Sequence, residues 1–218
     1  TDYGYRYTGV RKLGEDQQYV RGYHFVMPFT QLRPDQVGRG GAPDRHIVSG
    51  HFWVPMDDET TMVWNWHYSF GPEALPDERR SMDSSGNGER HVDRHNGFRS
   101  KANRRNNWLI DRDMQRTDTF TGIDGVNTQD RAVQESMGAI VDRTREHLGP
   151  ADKAIITTRQ LLMKAARGVL EGATPQGADQ SYYHIRAIEK VFEASRPWRE
   201  VLLPEMYPDQ QKELANVR

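Results

Sequence analysis

"YVRGYHFVMPF", residues 19–29, is the stretch on which the reading of the fold turns. Its side chains alternate: Tyr19, Arg21, Tyr23, Phe25 and Met27 fall on one side of an extended chain, and Val20, Gly22, His24 and Val26 on the other. A helix would gather its apolar residues at three- and four-residue steps instead. Period 2, with aromatic or branched residues on both sides, predicts a strand that is covered on at least one face.

The same period extends outward in both directions. Upstream, "YGYRYTGV" (3–10) sets Tyr3, Tyr5 and Tyr7 on one face. Downstream, "HIVSGHFWVP" (46–55), the turn-like "MDDET" (56–60) and "TMVWNWHYSF" (61–70) read as an aromatic hairpin, with Met62, Trp64, Trp66 and Tyr68 aligned. Three to five antiparallel strands are predicted up to Phe70. Residues 71–106 then break the pattern with Gly, Pro, Ser, Asn and charge, and read as a long polar loop excursion of the kind that carries function or meets a partner.

After that loop the period changes to that of helices. "NTQDRAVQESMGAIVDRTREHLG" (127–149) carries Val133, Met137, Ile140, Val141 and Leu148 at one-face spacing, with Asn127 or Thr128 as cap and Gly149-Pro150 as stop. "ADKAIITTRQLLMKAARGVLEG" (151–172) repeats Ile155, Leu162 and Val169 at seven-residue steps, with Ile156, Leu161 and Ala165 beside them. Residues 173–218 read as a further short helix and a tail. The fold class expected is α+β: an antiparallel sheet followed by helices packed on one of its faces, in a single domain spanning 1–218.

Composition narrows the functions. With 30 basic against 31 acidic residues spread along 218 positions, no general field exists to gather nucleic acid or an acidic membrane. The absence of cysteine excludes disulfides, thiolate-held zinc and thiolate-held iron–sulfur centres within this chain. No apolar run approaches the roughly 18 residues of a membrane span, and the amino terminus lacks a signal peptide's pattern. A soluble protein of the cytoplasm is expected.

Several residues invite chemistry. His46 and His51 have a spacing familiar from metal sites, but on a regular strand residues five apart point to opposite faces and cannot share an ion. His91, Asp93 and His95 could share a helical face, yet they stand in a Gly-bounded polar loop that supplies little to fix ligands. Arg21 lies on an aromatic face, where a guanidinium needs an anion: either an acid of this chain or the carboxylate of a substrate. Asp130, taken alone as an acid in the first turn of a helix, is worth a few tenths of a kcal/mol against the helix dipole and needs no other role.

The run from Asn106 to Ile156 changes that reading of Asp130. Its "IDR" (110–112), "FTGI" (120–123), "QDRAVQESMG" (129–138), "DRTREHLG" (142–149) and "RQLL" (159–162), with "WVPMDD" (53–58) earlier, resemble the large subunit of Rieske non-haem iron oxygenases of the phthalate 4,5-dioxygenase-like group. The likeness covers most of residues 1–170 and is densest between 106 and 156.

The resemblance implies the carboxy-terminal part of a helix-grip catalytic domain that oxidises an aromatic carboxylate or related ring. It implies that Asp130 is the carboxylate of a 2-His-1-carboxylate triad holding mononuclear Fe(II). Within that reading Arg21, singled out by its place on the aromatic face, is the candidate partner for the carboxylate of the substrate. The family's two iron-binding histidines, its bridging acid and its Rieske [2Fe-2S] cluster lie upstream of the strand that opens this chain, so one iron ligand of three is present. Dioxygen, a reductase and homotrimeric assembly are implied as partners. The chain alone is expected to bind iron weakly and not to turn over. A non-enzymatic small-molecule-binding helix-grip module is the competing expectation.

Overall fold

The computed structural model describes every residue except 35–45, 82–84, 179–181, 183 and 209–218. In chain order its elements are β1 (Gly4–Leu13), β2 (Gln17–Val26), β3 (Thr30–Pro34), β4 (Ile47–Pro55), β5 (Thr61–Ser69), α1 (Asp77–Ser81), β6 (Val92–Asp93) and β7 (Arg99–Ser100). There follow α2 (Arg112–Thr117), α3 (Val126–Ser136), α4 (Lys153–Leu170), β8 (Ile188–Glu193) and α5 (Trp198–Met206). The chain forms two compact units, one of residues 1–54, 62–74 and 147–218, the other of 55–61 and 75–146.

The first unit is built on the alternating strands. Its sheet runs β1-β2-β3-β4-β5, with β1 paired to β2 antiparallel from Gly4↔Val26 to Leu13↔Gln17. On its other edge β2 is shared: His24–Val26 pair with β3, and Gln17–Gly22 pair with β8. The α+β class expected from the period change is what the structure has.

The register fixes which side chains share a face. Tyr5 opposes Phe25 and Tyr7 opposes Tyr23 across β1 and β2, while Gln31 opposes His51 and Arg33 opposes Ser49 across β3 and β4. The opposite face carries the core. There Val26, Leu32 and Val48 pack with Tyr3, Ile185 and Ala187, and Val20 and Phe192 pack with Leu202 and Met206 of α5. Two glycines make room for that packing: a Cβ on Gly22 would lie 2.8 Å from the Met206 sulfur, and one on Gly50 would lie 2.0 Å from the Trp66 ring.

The sequence suggests helices on one face of the sheet, but they take both. While α5 covers the Val20 side, α4 meets the other: the Tyr5 hydroxyl donates to the Ala154 carbonyl at 3.0 Å and lies 2.6 Å from the Thr158 hydroxyl. A sheet with aromatic residues on both faces needs cover on both. Residues 173–218 hold the expected short helix, α5, and also a strand that the sequence reading lacks, because "IEKVFE" is β8. Its pairing to β2 satisfies a row of backbone groups that would otherwise stand open, and tertiary pairing overrides the weak helical pattern.

The second unit holds most of the predicted polar loop, which contains α1 and the small β6–β7 ladder. Helix α3 is shorter than the periodicity suggests. It ends at Ser136, with Met137 as C-cap and Gly138 in the left-handed region at φ 95°. Glycine adopts that conformation without the backbone strain an L side chain would bring, so the helix stops there and the apolar spacing beyond it is fortuitous. Its N-cap is Gly125, and Asn127 and Thr128 are buried inside the first turn.

Candidate functional site

In the first unit the face opposite the core, together with α4, forms a partly open pocket of about 200 Å³ lined by Tyr5, Tyr7, Phe25, Gln31, Trp53, Ala154, Ile155 and Thr158. An apolar cavity of roughly 150 Å³ is enough to take a benzene ring. Strand alternation puts the rings in place: Tyr5 stacks on Phe25 with centroids 5.5 Å apart, and Tyr7 stacks on Tyr23 at 4.7 Å. The Gln31 amide donates to the Tyr7 hydroxyl at 2.6 Å. Burial holds the Tyr7 phenol up at about 12, so it is a neutral hydrogen-bonding wall at physiological pH.

Beyond Gln31 and Trp53 that face turns polar. His51 is 6% exposed, opposes Gln31 in the register and lies against Trp53 with ring centroids 5.0 Å apart. Neither of its ring nitrogens has a hydrogen-bond partner among the described residues. A buried donor left unsatisfied in this way costs about 1–3 kcal/mol. Burial first, then the Arg33 and His67 charges, push its pKa down to about 3, so the ring is neutral. Nearby, the Ser49 hydroxyl and His67 Nδ1 are 2.9 Å apart.

Arg21 also lies on this face, and the structure gives it an internal partner. Its Nε donates to Glu189 Oε2 at 3.0 Å and its Nη2 to the Pro34 carbonyl at 3.2 Å, while the Tyr19 hydroxyl donates to the same Glu189 oxygen at 2.6 Å. The side chains of Arg21 and Glu189 are only 14% and 5% exposed. Burial and the Glu189 carboxylate push the Tyr19 phenol up.

In the second unit, Asp130 lies on α3 one turn further in than the sequence suggests, since α3 begins at Val126. It is exposed, and it makes no hydrogen bond or ion pair among the described residues. Its neighbour Arg131 donates to the Gly86 carbonyl at 2.7 Å, Asn87 Oδ1 at 2.9 Å and Thr128 Oγ1 at 3.0 Å. That clamp fixes α3 against the 85–91 segment. Gly125 is part of the fit, because a Cβ there would lie 2.5 Å from Gly86 Cα.

The other histidine candidates do not converge. His46 is exposed just before β4, whereas His51 is buried within it. His91 is buried, with Nδ1 3.5 Å from Thr128 Oγ1 and Nε2 3.8 Å from Asp124, while Asp93 is on β6 and His95 is exposed in the following turn. Among the described residues no three His, Cys, Asp or Glu side chains are grouped to hold a metal ion.

The family model described as LigXa C-terminal domain like matches residues 1–217, nearly the whole chain. The chain belongs to that family. This LigXa C-terminal-like domain is 33% identical over 178 residues to the 3-chlorobenzoate-3,4-dioxygenase oxygenase subunit of Comamonas testosteroni, a match covering 77% of this chain and 40% of that protein. It is 29% identical over 187 residues to the phthalate 4,5-dioxygenase oxygenase subunit of Pseudomonas putida, covering 83% of this chain and 39% of that protein. The domain thus spans about two fifths of the length of the curated relatives it matches. The resemblance read from the 106–156 motifs is borne out by both.

Family membership tests the residues against the iron that the resemblance implies. The donor set is incomplete: Asp130 offers an exposed carboxylate, but it belongs to no group of three His, Cys, Asp or Glu side chains among the described residues. His24 is already engaged at both nitrogens, 2.6 Å from the Tyr3 hydroxyl and 3.0 Å from the Arg186 carbonyl. One hard oxygen donor without two imidazoles fits one position of such a centre and does not make the centre. The support for an oxygenase therefore comes from the relatives, and not from the setting of Asp130. What sequence reasoning passed over is His51, considered only as a pair with His46. Strand alternation alone sets it beside Trp53 on the aromatic face, and that was the signal.

Proposed function

We propose that the gene product containing this LigXa C-terminal-like domain is an iron-dependent oxygenase that hydroxylates an aromatic carboxylate or a related ring, and that this chain is the carboxy-terminal part of its catalytic domain. The observation that carries the reading is the similarity to two oxygenase subunits, named for 3-chlorobenzoate and for phthalate. Both names denote aromatic carboxylates. Ferrous iron, when bound, would supply the redox chemistry that activates dioxygen.

The domain's own residues have more modest roles in this reading. Tyr5, Tyr7, Phe25 and Trp53 wall a pocket of ring size in the first unit. In the second unit Asp130 contributes one carboxylate to the iron, with two histidines supplied from outside this chain. The [2Fe-2S] cluster is also held elsewhere, since its thiolate ligands need cysteine and this chain has none. Arg21 enters as the ion-pair partner of Glu189 and not as the substrate's anchor. A reductase, dioxygen, a homotrimeric assembly and a cytoplasmic setting complete the proposal. A non-enzymatic binding module is not favoured, because both relatives are oxygenase subunits.

The test uses the full-length gene product, supplied with iron, a reductase and an electron donor, and given benzoate, 3-chlorobenzoate and phthalate under isotopically labelled dioxygen. Labelled oxygen is expected in a ring product of at least one acid. Binding of the acids with no label incorporated in any product would overturn the oxygenase reading in favour of the binding module.

A further inference from the structure

The pocket of the first unit has one polar edge, and its chemistry suits a neutral group. None of the residues that line the pocket is charged. Two of its hydroxyls are already engaged on α4: that of Tyr5 lies 2.6 Å from Thr158 Oγ1 and 3.0 Å from the Ala154 carbonyl, to which Thr158 Oγ1 itself donates at 3.0 Å. Tyr7 and Gln31 differ. The Gln31 amide donates to the Tyr7 hydroxyl at 2.6 Å, and among the described residues neither side chain makes another hydrogen bond. The phenolic hydrogen and the amide oxygen are therefore left over; with the amide turned, an amide N–H and a phenolic lone pair would be left instead. Either way the pair keeps one donor and one acceptor to offer. Stacking on Tyr23, with centroids 4.7 Å apart and ring planes 6° from parallel, holds the Tyr7 ring in place.

We propose that Tyr7 is the specificity-determining residue of this pocket, hydrogen-bonding through its hydroxyl to an uncharged hydroxyl substituent of an aromatic ring held against Phe25 and Trp53. Gln31 is the positioning residue, since its amide fixes the Tyr7 hydroxyl from the other side. A phenolic hydroxyl both donates and accepts, and so matches what the pair has left. A carboxylate does not match, because inside a pocket without a cation it would lose hydration and gain no counter-charge. On an aromatic acid that group stays at the open side, in water. The inference rests on the reading that this pocket receives the ring, and deepens it by naming the class of ring: one that bears a neutral hydroxyl.

The full 218-residue chain is titrated with phenol, toluene and benzoate, followed by the indole N–H resonance of Trp53, assigned by its loss in Trp53→Phe. Phenol and toluene are both expected to shift that signal, and benzoate is expected to bind more weakly than phenol. Tyr7→Phe keeps the ring that stacks on Tyr23 and removes only the hydroxyl. It is expected to weaken phenol about three- to tenfold, the loss of one neutral hydrogen bond, and to leave toluene within about twofold. Gln31→Met, which keeps the length of the side chain without its amide, is expected to weaken phenol and not toluene. Unchanged phenol affinity in Tyr7→Phe, an equal loss of phenol and toluene, or benzoate tighter than phenol in wild type overturns the role of Tyr7 and leaves the pocket reading standing. Failure of both phenol and toluene to move the Trp53 signal overturns the pocket reading and the role of Tyr7 with it. The comparison of phenol with benzoate uses wild type alone, so it decides the matter even if Tyr7→Phe does not fold.

Discussion

At the scale of single residues, two buried histidines give the fold a built-in sensitivity to acid. His24 is held at about 4 by burial, against the hydrogen bond to the Arg186 carbonyl that favours its charged form, and His51 at about 3. Both lie below the ordinary value of 6.5, so the unfolded chain takes up protons that the folded chain refuses. Their contribution to stability is complete above about pH 6.5 and is lost as the pH falls toward 4, by up to about 1.4 kcal/mol per pH unit for each histidine. Urea midpoints between about pH 7 and 4 check this, and His51→Leu is expected to show a shallower decline than wild type. A second residue-scale prediction concerns the ion pair on the sheet. Glu189→Ala leaves Arg21 largely buried without its anion and the Tyr19 hydroxyl without its acceptor, and is expected to cost about 3 kcal/mol by denaturant unfolding.

At the scale of elements, glycine decides more than apolar spacing does. Gly138 ends α3 in the left-handed region with open space around the position of a Cβ. Gly138→Ala therefore meets no clash and only backbone strain, and is expected to lower stability by about 1 kcal/mol with the first turns of α3 unchanged in amide exchange. Here lies the limit of what could be read from sequence. The strands β1, β2, β4 and β5 are legible because period 2 is a property of each segment by itself: Tyr19, Arg21, Tyr23 and Phe25 alternate with Val20, Gly22 and His24 whatever they pack on. The end of α3 is not, since Val133, Met137 and Ile140 keep helical spacing across a glycine that stops the helix, and all three are exposed. Strand β8 is not legible either, because it exists through its long-range pairing to β2. The site divides the same way: the aromatic wall follows from alternation, whereas the isolation of His51 depends on what every neighbour does.

At the scale of the whole molecule, Asp130 joins the fold to the proposed activity. Its carboxylate is exposed and makes no hydrogen bond or ion pair among the described residues, so removing it leaves the packing of α3 intact, and Arg131 retains its contacts with Gly86, Asn87 and Thr128. Asp130→Ala is therefore expected to change the stability of this chain by less than about 0.5 kcal/mol. In the full-length gene product the proposed role of Asp130 as an iron ligand predicts a different consequence, because a metal centre that loses one of its protein donors loses affinity. The deciding measurement is iron content per mononuclear site of that purified protein, wild type against Asp130→Ala, with the cluster iron counted separately by its absorbance. One ferrous ion per chain in wild type and a fall to a small fraction of that in Asp130→Ala is the result expected. Equal mononuclear iron in the two proteins would contradict it.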